Sequence, residues 1–352
     1  MFILFYVVVA LIVLFILFQV YLQDNSSSNK GITKYKAKIT SVKQDQIDKY
    51  SELIRINPND AVAYNNRGLV KSNTGDKSGA IEDFNQALCI NPNLAEVYYN
   101  RGLVKYDLGH YQRAIEDYDE SIRVNPNESD AYNNRGAAKY ELGNPHGAIS
   151  DYTQAIRLNP EHAEAYFSRG NAKSSLGDKH SAISDYDRAI TIKPKYAEAY
   201  TNRGNVKSEL GNKQGAISDF NQAIQIKPDD ALAYNGRGVV RSELGDKLGA
   251  INDFNQTIRI KPNFASAYYN RGLVKYVLKN PKDAISDYKQ AIRFNPDYAE
   301  AYINRGIANY ALGNKAAALE DLRQSAALFK SQGHTAAYQN ALKAIEAMSF
   351  AR

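Results

Sequence analysis

The strongest constraint on this chain is a period. Prolines stand at Pro58, Pro92, Pro126, Pro160, Pro194, Pro228, Pro262 and Pro296, and glycines at Gly68, Gly102, Gly136, Gly170, Gly204, Gly238, Gly272 and Gly306, each 34 residues after the last. Self-similarity at this spacing specifies a stack of small helical units, none of which can bury its apolar face alone. A chain of 352 residues would otherwise suggest two domains. An array grows in one dimension without a single core, so one elongated domain is expected.

Eight full repeats are expected over 61–94, 95–128, 129–162, 163–196, 197–230, 231–264, 265–298 and 299–330, each a pair of helices. In the second helix of the first repeat, Ala80, Ile81, Phe84, Ala87 and Leu88 form the i, i+1, i+4, i+7, i+8 stripe of a helix buried on one side. Between the helices Gly75 tolerates the left-handed conformation that ends the first, and Asp76 is placed to cap the second. The seventh repeat has Lys279 where the others have Gly, which predicts a slightly different turn. Residues 39–60 form a half-repeat, since Ile47, Tyr50, Ile54 and Pro58 align with Ile115, Tyr118, Ile122 and Pro126 two periods on. After Asp321 the pattern fades, and 331–352 is expected as a C-terminal capping helix.

Met1 to Phe18 is an unbroken apolar run, extended by Val20 to Leu22. A helix of that length spans the roughly 30 Å of a bilayer core, so 1–22 is expected as an uncleaved transmembrane anchor. A cleaved secretory signal would want a basic start, a shorter apolar core and an Ala-x-Ala exit, none of which is present. The basic residues nearest the run are Lys30, Lys34, Lys36 and Lys38, all after it, which leaves the repeats in the cytoplasm. The alternative is a periplasmic or secreted array. Residues 23–38 are polar and Ser/Asn-rich, and are expected as a flexible linker.

The charge excess of +6 is too small to imply nucleic acid. A single cysteine, Cys89, excludes a disulfide framework and a Cys-based zinc site. The five histidines are scattered, and there is no His-Glu-x-x-His, Gly-rich phosphate loop or nucleophile elbow. The expectation is a non-enzymatic protein with no catalytic residues, no metal, no cofactor and no small-molecule substrate.

Tyr98-x2-Arg101-Gly102-x2-Lys105, then Ala114-x3-Tyr118, then Pro126 resembles the tetratricopeptide repeat, whose pattern is Trp-x2-Leu-Gly-x2-Tyr, Ala-x3-Phe, Pro. The departures are regular: Tyr for Trp, Arg for Leu, and mostly Lys for the later Tyr. The resemblance covers about residues 39–330. It implies an all-α fold, a right-handed α-solenoid superhelix of helix-turn-helix repeats behind the transmembrane helix. It also implies a concave groove lined by the first helices that binds peptides or other proteins.

Each repeat carries an Arg and, 16 residues on, an Asp: Arg67 with Asp83, Arg101 with Asp117, Arg203 with Asp219, and so on to Arg305 with Asp321. The half-repeat lacks both, and Asp321 survives without a following Arg, so a structural ladder paired within each repeat is expected. A second ladder is Asn66, Asn100, Asn134, Asn202, Asn270 and Asn304, interrupted by Ser168 and Gly236. Glu96, Tyr99, Asn100, Leu103 and Asp107 share one helix face, which the resemblance assigns to the groove. An amide can pair with an extended peptide backbone, and equally with the backbone of its neighbours. Glu96, Glu164 and Glu198, with Tyr106, Tyr140 and Tyr276, complete the candidate groove residues. They predict an acidic groove and a partner with neutral or basic segments. Basic residues gather on the second helices, at Lys77, Lys179, Lys213, Lys247 and Lys315 among others, giving a basic opposite side, most simply a solvated one.

Overall fold

The computed structural model describes the backbone of residues 28–350 and the side chains of 42–349. Among the described residues there are eighteen α-helices and no strand. They form two compact units divided between Leu158 and Asn159. The first holds α1 (Ser28–Ile56) and three helix pairs: α2 (Ala61–Thr74) with α3 (Lys77–Ile90), α4 (Ala95–Asp107) with α5 (Tyr111–Val124), and α6 (Ser129–Glu141) with α7 (Pro145–Leu158). The second holds five pairs. These are α8 (Ala163–Ser175) with α9 (Lys179–Ile192), α10 (Ala197–Glu209) with α11 (Lys213–Ile226), α12 (Ala231–Glu243) with α13 (Lys247–Ile260), α14 (Ala265–Val277) with α15 (Pro281–Phe294), and α16 (Ala299–Ala311) with α17 (Lys315–Ser331). The closing helix α18 (Thr335–Phe350) packs on α17.

Within each unit every helix packs on the next in sequence. Within each unit first helices of adjacent repeats also touch one another, as α2 with α4 and α10 with α12. The core is built from the stripe of each second helix: Ala80, Phe84 and Ala87 are fully buried, as are Ala114 and Tyr118 in the next repeat. Burying one such aromatic contributes about 1.5–3 kcal/mol. The period's glycine is what lets the two helices meet. A Cβ on Gly102 would stand 2.7 Å from Cε1 of Tyr118, so any larger residue would push the pair apart.

The turn between paired helices follows from its residues. Gly75 adopts φ +93° at the end of α2, and Asp76 then accepts from Gly79 N–H at 2.9 Å to cap α3. The different turn expected at Lys279 does not occur. Lys279 takes φ 61°, and its N–H donates to Tyr276 O at 3.0 Å, as Gly109 N–H does to Tyr106 O at 2.9 Å. The surrounding hydrogen bonds impose the left-handed turn on a residue with a Cβ.

The polar stretch expected as a linker over 23–38 is helical from Ser28 onward. Ile32, Tyr35, Ile39 and Val42 recur at alternating three- and four-residue steps, and no proline interrupts the stretch. The anchor expected over Met1–Leu22 lies outside the described residues. Among those described, no helix is long and apolar enough to cross a membrane. At the other end the chain breaks at Gly333 (φ 76°), and α18 closes a cluster of Ala299, Ala326, Phe329 and Ala341.

Candidate interaction surface

Every first helix presents Tyr, Arg and, in most repeats, Lys at i, i+3 and i+7, and these converge on the Asp of the following helix. Arg67 donates from Nε to Asp83 Oδ2 at 2.9 Å and from Nη2 to Oδ1 at 2.7 Å. Arg101 holds Asp117 and Arg203 holds Asp219 in the same way, with Nη2–Oδ1 distances of 2.6 Å in both. In all but the eighth repeat a second cation joins the carboxylate: Lys71 on Asp83 at 2.9 Å, Lys105 on Asp117 at 2.7 Å, Lys207 on Asp219 at 2.8 Å. In the sixth repeat Arg241 takes that place, and in the eighth Asn309 does. The Asp side chains are buried, and two charged donors, or Arg305 and the Asn309 amide at Asp321, offset the cost of removing a carboxylate from water. Each Tyr ring lies under its Arg at 5.2 to 5.6 Å, as Tyr132 under Arg135 and Tyr98 under Arg101. The three regular departures from the repeat pattern therefore form one unit: Tyr stacks on Arg, and Arg and Lys share the Asp.

The pairing of Arg with Asp runs within each repeat, but the guanidinium also reaches out of it. Arg101 Nη1 donates to Asn85 Oδ1 at 2.6 Å, Arg135 Nη1 to Asp119 Oδ1 at 2.7 Å, and Arg237 Nη1 to Asn221 Oδ1 at 2.6 Å, each acceptor lying on the second helix of the preceding repeat. Arg203 makes the same bond to Asp187. One side chain thus closes its own repeat and stitches it to its neighbour.

The asparagine ladder also runs between repeats. Asn100 Nδ2 donates to Asn65 Oδ1 at 3.1 Å, Asn134 Nδ2 to Tyr99 Oη at 2.8 Å, Asn270 Nδ2 to Asn235 Oδ1 at 3.4 Å, and Asn304 Nδ2 to Tyr269 Oη at 3.0 Å. Asn202 has Phe167 at the corresponding place and turns instead to Asn171 Oδ1 at 2.8 Å. These acceptors are side chains of the preceding repeat, where either a bound peptide or neighbouring backbone was expected; Asn304 Nδ2 also donates to the backbone carbonyl of Glu300 at 2.9 Å. Asn66 is half-buried on α2. Where the ladder is broken at Gly236, a Cβ would stand 2.6 Å from Phe220 Cζ, so the ring excludes a side chain there.

Glu96, Glu164 and Glu198 are exposed on the first-helix face, and Tyr106, Tyr140 and Tyr276 are half-buried there. The acidic character expected of this face is reduced by lysines that reach several of its carboxylates. Glu164 accepts from Lys193 at 2.8 Å, which holds its carboxyl below the usual range, and Glu198 pairs with Lys227 at 3.4 Å. Lys77 bonds Asp107, Lys179 bonds Glu209 at 2.6 Å, and Lys213 bonds Glu243, each lysine opening a second helix and each acid closing the next first helix. The basic side expected of the second helices is thus in part the counter-charge of the first. Burial, with Asp130 nearby, pushes the Tyr99 phenol up to about 12. Burial also raises Tyr106, which stacks edge-on with Tyr111 at 5.2 Å. Among the described residues no group of three or more His, Cys, Asp or Glu could hold a metal ion.

Sequence reasoning passed over Lys105 and its equivalents and the Lys-to-acid bonds between repeats. Both had a signal: Lys recurs four residues after each Arg in most repeats, and Lys77/Asp107, Lys179/Glu209 and Lys213/Glu243 share a spacing of 30.

Residues 95–128, 129–162 and 197–230 match the family model of the tetratricopeptide repeat, and 73–109, 175–211 and 281–313 match a second model, TPR repeat. Together they cover just over half of the chain. A comparison with curated proteins finds no match. Similar solved structures include a tetratricopeptide repeat protein from Parabacteroides merdae, at 20% identity over 70% of this chain and 98% of that one, TM-score 0.57. Another is PilF of Pseudomonas aeruginosa, at 18% identity over 60% of this chain and 95% of that one, TM-score 0.54. A third is the Cut9–Hcn1 hetero-tetramer of the APC/C, at 18% identity and TM-score 0.59, where the match covers 79% of this chain and 55% of that one. These likenesses concern the fold. With its period, its helix pairs and its matching repeats, the chain belongs to the tetratricopeptide-repeat family.

Proposed function

We propose that this protein is a non-enzymatic interaction scaffold that takes segments of partner proteins on the exposed face of its first helices. Proteins of this repeat fold typically mediate protein–protein interactions. The observation that carries the reading is a division of labour along each first helix. The Tyr, Arg, Lys and Asn positions recur and are consumed in holding the array together. The other positions on that face, exposed or half-buried, change more: Glu96, Leu103 and Tyr106 in one repeat, Glu198, Asn205 and Ser208 in another, Leu232, Val239 and Ser242 in a third. Constant positions supply the fold, and varied ones can supply recognition.

Tagged full-length protein and its Glu96→Lys/Tyr106→Ala variant, recovered from cells with bound proteins identified by mass spectrometry, test this reading. Partners held by the wild type and lost from a folded variant support it. An identical set from both counts against it. The reading includes a membrane tether at Met1–Leu22, because an apolar run of that length is rarely left in water. Alkaline extraction of membranes should leave the full chain in the pellet and release a form lacking residues 1–22. Release of both would remove the tether.

A further inference from the structure

Lysines open the second helices at Lys77, Lys179, Lys213 and Lys247, and the residue 30 positions on closes the first helix of the next repeat. In three cases that residue is an acid and the two are bonded: Lys77 with Asp107, Lys179 with Glu209, Lys213 with Glu243. Where a proline opens the helix, at Pro145 and Pro281, the acid is replaced by Ser175 and Ala311. The junction of the sixth and seventh repeats breaks this correspondence. Lys247 is kept, but its counterpart is Val277, and the ammonium falls back on the Ser242 carbonyl at 2.7 Å.

The residue after the lysine changes at the same junction. It is Ser78, Gln112, His146, His180, Gln214, Lys282 or Ala316 in the other repeats and Leu248 here, 71% exposed. Val277 is 57% exposed. A cation without a carboxylate from the next repeat is thus followed in sequence by one exposed aliphatic side chain and has another at the position where three other junctions place the bonded acid. A charge whose internal partner has been exchanged for an apolar surface is complementary to a ligand that brings both a carboxylate and an apolar group.

We propose that this junction is a docking point for a partner-protein segment in which an Asp or Glu is flanked by an aliphatic or aromatic residue. The carboxylate takes the place on Lys247 that Asp107, Glu209 and Glu243 take on their lysines, and the neighbouring side chain covers Leu248 and Val277. The inference rests on the reading of the chain as an interaction module, though not on the use of the first-helix face.

The test uses short synthetic peptides with Asp or Glu placed next to Leu or Phe in a Ser/Gly background, and matched sets with Lys for the acid or Ser for the apolar residue. Binding is measured by fluorescence polarisation to the full chain and to Val277→Glu and Leu248→Gln. Val277→Glu installs the bond present at three other junctions, so it closes the site without disturbing the fold. Acidic-apolar peptides should bind the wild type and lose at least about tenfold in affinity with either variant, while the Val277→Glu protein melts no lower than the wild type. Equal binding to Val277→Glu, equal binding of the Lys-substituted peptides, or no binding of any set would overturn the proposal. If no peptide binds while partners recovered from cells still depend on Glu96 and Tyr106, this site falls and the first-helix reading stands.

Discussion

Lys207 Nζ lies 2.8 Å from Oδ2 of Asp219, the carboxylate that Arg203 already grips through two hydrogen bonds. The Asp is buried and the Arg almost so, which makes the three charges interdependent. Arg203→Ala strips the carboxylate of its bidentate partner, severs the bond to Asp187 and uncovers Tyr200, and should cost about 3–5 kcal/mol. Lys207→Ala leaves the bidentate pair intact and should cost about 1 kcal/mol. Chemical denaturation of the single and double variants checks this. Costs that simply add, or an Arg203→Ala curve matching the wild type, would contradict the shared-carboxylate account.

The bond from Asn134 to Tyr99 predicts that the asparagine ladder carries stability. Asn134→Ala and Tyr99→Phe should each lose about 1 kcal/mol, and together little more than either alone. Thermal melts of the four proteins decide it. Variants that melt like the wild type but lose partner binding would assign these amides to recognition instead.

An alkaline limit follows from the buried tyrosines. The Tyr99 phenol is pushed up to about 12 from 10, by burial first, and burial likewise raises Tyr118, Tyr196, Tyr288 and Tyr298. A raised folded-state value means that the unfolded chain gives up these protons first. The contribution is therefore whole below pH 10 and is lost as pH rises towards 12 and beyond. Denaturation midpoints across that window should fall, and less steeply in Tyr99→Phe. A flat profile, with tyrosinate absorbance appearing at the ordinary pH, would refute it.

Lys279 sits at φ 61° in a turn where seven other repeats have glycine. Lys279→Gly should therefore stabilise the protein by about 1 kcal/mol, and Gly245→Lys should cost about as much. A lower melting temperature for Lys279→Gly would show that the lysine side chain contributes something the backbone argument omits.

Much of the array was legible because its causes are local. Gly75 ends a helix, Asp76 starts one, Gly102 admits Tyr118, and the 16-residue step from Arg67 to Asp83 spans a single turn between two helices. The contacts that escaped sequence reading cross from one repeat to the next. Whether Asn134 meets backbone or Tyr99, and whether Asp107 faces a partner or Lys77, depends on the tilt between successive repeats, which no short window encodes. The acidity of the groove was overcounted for that reason: Asp107, Glu164, Glu198, Glu209 and Glu243 were counted without the lysines that reach them.

The division of each first helix into constant, inward-bonded positions and varied, exposed ones is tested most directly by photo-crosslinking in cells. A photoreactive residue replaces Glu96 on α4, and a control probe replaces Arg157, exposed on α7. The account predicts one dominant protein adduct from position 96 and none of it from 157. Equal or diffuse adducts from both positions would contradict it, and would mark the array as a spacer whose first helices hold it together and do nothing more.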